Sequence, residues 1–164
     1  MKLHECRIVH GDLRSACVLL DNTNKAVIAD SIFARVRHSL AAATTGHEPY
    51  EPSSDEISFL APEILDDELP ADISTMADAF AFGTMFYEIL NDGKETWVTA
   101  DGSPMHPAAI RRCVCNGSRP KRPEGIPDPI WALIESCWHQ DPTERPSFTN
   151  IHSAIVGYIG KVRR

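Results

Sequence analysis

The sequence predicts a mainly α domain (α+β) with one short β-hairpin near its N-terminus. Three observations predict it. Aliphatic and β-branched runs at 17–20 and 25–29 flank Asp21-Asn22-Thr23-Asn24, whose residue types favour turns. Residues 76–90 are apolar on every side at helical length, which belongs at the centre of a protein. Beyond residue 100, apolar residues recur at helical spacing between proline and glycine signals.

Each element has its own reason. The hairpin carries an apolar strand on either side of its polar turn. From Asp30 to about Ile57 no period persists, and Ser, Thr, Pro and acidic residues dominate; so long a connection inside a compact domain is functional or disordered. The central helix opens after Ser74 or Thr75, either of which can cap it, and runs to Leu90. The next ends at Cys115, where Asn116-Gly117 supplies a left-handed C-cap. Asp128 as cap and Pro129 at the first helical position open another, with Ile130, Leu133, Ile134, Cys137 and Trp138 on one stripe. The last opens near Pro146 and buries Phe148, Ile151, Ile155 and Ile159.

Composition excludes several classes. A chain of 164 residues with 43% hydrophobic and 24% charged residues fits one globular domain. A formal charge of -7 gives no footprint for nucleic acid or an anionic membrane, and no long apolar run offers a signal or a span, so neither partner is expected. Five cysteines, an odd number, suit a reducing compartment, so a cytoplasmic (intracellular) location is expected.

Four motifs then follow in order. His10-Gly11-Asp12-Leu13-Arg14-Ser15-Ala16-Cys17 leads directly into Val18-Leu19-Leu20. Val27-Ile28-Ala29-Asp30-Ser31-Ile32-Phe33-Ala34-Arg35 follows, then Ala61-Pro62-Glu63, then Asp78-Ala79-Phe80-Ala81-Phe82-Gly83. The series ends in Arg119-Pro120, Cys137-Trp138, Asp141-Pro142 and Arg145-Pro146-Ser147-Phe148. Together these resemble the C-terminal lobe of a protein kinase, most like the tyrosine-kinase-like and tyrosine kinase groups. The resemblance divides residues 1–164 into a catalytic-loop-like segment at 10–20, an activation-segment-like stretch at 30–63 and a helical core at 74–160.

The resemblance implies roles. Asp12 stands where the catalytic base stands, following His10, and Asp30 where the principal magnesium ligand stands. Glu63 would pair with Arg145, and Asp78 would accept hydrogen bonds from the catalytic-loop backbone. Mg-ATP is the cofactor the family implies.

The departures concern chemistry. Gly11 replaces the Arg that in many kinases receives a phosphorylated activation segment, and Cys17 replaces the Asn that helps hold magnesium. A neutral thiol is a poor ligand for a cation that prefers oxygen. Arg14 keeps the positive charge of the family's Lys, Ser31-Ile32 replaces Phe-Gly, and Glu56 falls about where many kinases carry Thr. No G-x-G-x-x-G occurs, and nothing upstream of Leu3 could supply the nucleotide lobe, so Mg-ATP is not expected to bind this chain alone. Leu3 to Val9 resembles only the last turn of the helix before the catalytic loop. A fragment of a longer protein, an incomplete gene model or a remnant that folds with a partner would each account for this.

Other features have plain readings. His106, Cys113 and Cys115 lack a fourth ligand and the two-residue cysteine spacing of zinc sites, and His139 and His152 are equally isolated. Phe80, Phe82, Phe86 and Tyr87 read as core. Thr44, Thr45, Tyr50, Ser53 and Ser54 are candidate phosphoacceptors, and Glu48, Glu51, Asp55 and Glu56 read as a solvated acidic face. Two functions follow: a pseudokinase that scaffolds or regulates by binding a protein partner, or an ATP-dependent Ser/Thr or Tyr phosphotransferase whose other lobe lies elsewhere.

Overall fold

The computed structural model describes residues 2–29, 53–66 and 73–163. Asp30, the Ser31-Ile32 replacement, Thr44, Thr45, Glu48, Tyr50 and Glu51 lie outside them. The elements run α1 (Lys2–Glu5), a 3-10 turn (Ser15–Cys17), β1 (Val18–Leu20), β2 (Ala26–Ile28), α2 (Ser54–Ile57) and α3 (Pro62–Leu65). They continue with α4 (Thr75–Leu90), α5 (Pro107–Cys115), α6 (Asp128–Cys137), a second 3-10 turn (Pro142–Glu144) and α7 (Phe148–Val162). The fold is therefore mainly α with one short hairpin.

The hairpin pairs β1 and β2 antiparallel, with Val18 opposite Ile28 and Leu20 opposite Ala26. Its turn is closed by Asp21, whose Oδ1 accepts from the Thr23 and Lys25 amides, while Asn24 takes φ 60. The Thr23 hydroxyl, which donates to the same Oδ1 at 2.7 Å, and then these amides hold the Asp21 carboxyl below its ordinary range. Cys17 belongs to the preceding 3-10 turn rather than to the strand.

α4 is the hub. Ser74 caps it by accepting from the Ala77 amide, and Ala79, Phe80 and Tyr87 along it are buried. Its apolar surface meets three groups of residues. Phe80 and Tyr87 join Leu65, Ile110, Ile130, Ile134 and Trp138. Ala81 and Met85 meet Leu13 and Phe59. Ala79 meets Leu133, Cys137 and Ile151. α6 crosses α4 closely at Gly83, where an added Cβ would lie 2.8 Å from Cys137 Cβ and 3.1 Å from Trp138 Cδ1. Only a residue without a side chain fits. Trp138 Nε1 donates to Thr84 Oγ1 at 3.0 Å and Thr84 donates to the Ser58 carbonyl at 3.2 Å, so the same crossing also reaches the segment after α2.

Several expectations need correction. The segment through Ile57 is not wholly irregular: its end forms α2, closed by a capping box between Ser53 and Glu56. Ala61 precedes a further turn, α3, with Pro62 at its first position. Asp128 is not the cap of α6; Pro127 holds that place, and the Asp128 carboxylate at the first helical position takes Arg122 at 2.6 Å. α7 starts at Phe148 with Ser147 as cap, and Ile159 is 41% exposed, because the buried face of that helix narrows beyond Ile151. Glu56 is not solvated but carries the capping box and an ion pair.

Candidate functional site

The loop from His10 to Leu13 is held from beneath by α4. Asp78, 1% exposed on the first turn of that helix, accepts from the His10 amide and the Gly11 amide, each at 2.8 Å. His4 Nε2 donates to the same carboxylate at 2.7 Å. Three donors satisfy a buried carboxylate whose desolvation would otherwise be costly. His10 is fully buried; its Nε2 donates to the Ala29 carbonyl at 3.0 Å while Nδ1 accepts from the Asp12 amide at 3.3 Å. Only the Nε2–H tautomer satisfies both bonds. His10 thereby ties the loop to the residue preceding Asp30.

Gly11 takes φ 78, a left-handed conformation in which a Cβ is strained. The glycine that removes the family's cation thus also suits the backbone here.

Asp12 lies beside Arg14, whose Nε is 3.5 Å from its Oδ1. The same guanidinium reaches Glu56 Oε1 through Nη1 at 3.3 Å, so Arg14 sits between two carboxylates from distant segments. Burial acts to lower the Arg14 pKa, but Asp12, Cys17 and Glu56 together leave it raised. Cys17 is 3% exposed, and its thiol donates to the Asp12 carbonyl at 3.2 Å. Burial pushes the Cys17 thiol up from its ordinary value, so the group is a neutral thiol turned inward. A cavity of about 20 Å³ lies under Gly11 and Asp12, room for one water and not for a ligand.

Away from the loop, Arg145 and Glu63 meet in a bidentate pair, Nη1 to Oε1 and Nη2 to Oε2, both 2.7 Å. Arg145 also donates to the His139 carbonyl at 2.8 Å and the Met76 carbonyl at 3.0 Å. Arg119 lies nearby, donating to the carbonyls of Trp138, Val114 and Ser118 and to Gln140 Oε1. Both guanidinium carbons stand over the Phe80 ring, at 5.1 Å for Arg119 and 5.2 Å for Arg145. Burial, with repulsion from Arg145, lowers the Arg119 pKa to about 10.

Two groupings emerge. His10, Asp12, Cys17 and Asp78 come together at the loop, whereas Glu63 and Arg145 form a separate clamp. Asp30 lies outside the described residues. His4, Arg119 and Glu56 also hold these groupings and were not singled out for those roles in sequence. Glu56 had a detectable signal, because Ser53-x-x-Glu56 is the capping-box spacing. His4 and Arg119 bond to groups far along the chain or to backbone carbonyls, which leave no local pattern.

Cys17 does not offer magnesium the ligand it prefers. Magnesium requires hard oxygen donors in near-octahedral array, and Cys17 presents a buried thiol whose hydrogen is committed to a carbonyl. Among the described residues no group of three His, Cys, Asp or Glu side chains is placed to hold a metal, and no helix is long and apolar enough to cross a membrane.

Comparison with known proteins agrees with the motifs. A dual serine/threonine and tyrosine protein kinase of Homo sapiens is 27% identical over 169 aligned positions, and that of Pimephales promelas is 29% identical. The same protein of Bos taurus is 27% identical. Each alignment covers 98% of this chain and 16% of the relative, so the chain spans about a sixth of the length of the curated relatives it matches. Residues 1–155 match the family described as protein tyrosine and serine/threonine kinase. With that match over nearly its whole length, the helical hub and its hairpin are kinase C-lobe-like, and the chain belongs to the protein tyrosine and serine/threonine kinase family.

Proposed function

We propose that the chain is a catalytically impaired kinase-like domain, a pseudokinase, that acts inside the cell by binding another protein. The observation that carries this reading is Cys17. At the position where the family places an oxygen-bearing metal ligand, a buried thiol donates inward to the Asp12 carbonyl. One missing preorganised electrostatic group costs about 10² to 10³ in rate. In this reading Mg-ATP is not held by the chain alone, and Glu63, Asp78 and Arg145 serve the architecture that a partner reads.

A second reading rests on Asp12. Its carboxylate persists in the family's base position, so an ATP-dependent protein kinase acting on Ser, Thr or Tyr is the alternative. Transfer of radiolabelled phosphoryl from Mg-ATP to a mixed protein acceptor separates the two. The pseudokinase reading expects the same background with the wild-type chain and with Asp12→Asn. Incorporation that disappears in Asp12→Asn establishes the enzyme instead.

A further inference from the structure

We propose that the cleft between α3 and α5 is a docking site for an acidic segment of another protein. The proposal rests on the binding reading above and gives that partner a chemistry. The cleft holds about 760 Å³, within the range of about 300 to 1,000 Å³ typical of ligand pockets. Pro62 and Leu65 line one wall, Arg111, Arg112 and Cys115 the other, and Gln140 also borders it. Gly11, Asp12 and Leu13 line a different cavity, so the cleft is separate from the loop described above.

Charge decides what fits. The chain carries a formal charge of -7, yet residues 102–123 contain Arg111, Arg112, Arg119, Lys121 and Arg122 and no Asp or Glu. Arg111 donates to the Leu65 carbonyl at 3.0 Å, so its guanidinium reaches across to α3. Arg112 is exposed, and its side chain makes no hydrogen bond or ion pair among the described residues. On the facing wall both oxygens of Glu63 are committed to Arg145. The lining therefore sets Arg111 and Arg112 against the single carboxylate of Asp66, beside the apolar surface of Pro62 and Leu65. Such a lining suits a peptide carboxylate next to an apolar side chain. A nucleic acid needs a longer cationic track than one cleft in an acidic chain offers. Arg112 also stands in the last turn of α5, where a cation offsets the negative end of the helix dipole. That role alone would register in stability, whereas docking also places a ligand beside the exposed Cys115 thiol.

Titration of the full chain at low ionic strength into a fluorescein-labelled peptide alternating glutamate with leucine, followed by anisotropy, tests this. Saturable binding is expected, about tenfold weaker in Arg112→Glu and weakened in the same direction in Arg112→Gln, with Tm measured for both to separate docking from folding. Lys94→Glu, which makes the same charge change at an exposed cation outside the cleft, is expected to leave binding unchanged. Bound peptide is expected to slow iodoacetamide alkylation of Cys115 and not of Cys6, which is also exposed. No saturable binding, an equal loss in Lys94→Glu, an unprotected Cys115, or equal binding of the lysine version of the peptide or of single-stranded DNA would each overturn the proposal. Phosphoryl transfer that disappears in Asp12→Asn bears on the pseudokinase reading alone, because Asp12 does not line the cleft.

Discussion

Arg145 shows how much one side chain can hold. Its guanidinium is buried and meets both oxygens of Glu63, so removing it leaves that carboxylate without this counter-charge and takes a donor from the carbonyls of His139, Met76 and Gln140. Arg145→Ala is expected to cost about 3 to 5 kcal/mol, read by urea unfolding. An unchanged midpoint would show that the clamp is not structural. Glu88 carries a different kind of cost. Burial, with Asp55 and Glu95 nearby, raises its pKa although Ser15 donates to it. A carboxyl whose folded pKa lies above its unfolded value binds its proton more tightly when folded, so stability falls as pH rises through that folded pKa. Glu88→Gln is therefore expected to raise Tm at pH 7, with the gain shrinking toward pH 4. A gain that grows toward acid would contradict the assignment. At this scale the sequence was legible where motif order placed a residue and opaque where a bond spans the chain. The 82 positions between Glu63 and Arg145 leave no periodic trace, and only the family resemblance suggests that they meet.

At the scale of elements, α4 was the most legible, because a 16-residue helix with apolar residues on all sides and a serine before it has few other readings. Ser74→Ala is expected to cost about 1 kcal/mol through the lost cap, measured as a shift in the unfolding midpoint. Gly83→Ala drives a methyl against Cys137 and Trp138 and is expected to cost about 1 to 3 kcal/mol, despite the better helix propensity of alanine. A stabilised Gly83→Ala would show that α4 and α6 do not approach so closely. The one-turn helices α2 and α3 were invisible to periodicity, since four residues cannot establish a 3.6-residue repeat. α2 could have been found by its capping box, but the Ser and Asp around it read as loop. Pro127 displaced Asp128 as cap of α6 because two prolines flank the start and only the spacing of the first turn decides between them.

For the whole molecule, composition and the order of motifs specified the class: a helical hub, a short hairpin and a family whose match extends over residues 1–155. What sequence left open was the chemistry, which turns on the direction in which a thiol points. Cys17 is turned toward the Asp12 carbonyl within a kinase-like architecture, and the proposed pseudokinase reading rests on that direction. The most direct test is the melting temperature of the full chain with and without millimolar Mg-ATP, since a ligand at about 100 times its Kd stabilises the state it binds by about 2.7 kcal/mol. An unchanged Tm is the predicted result. A saturable rise that disappears when magnesium is chelated would contradict the central claim.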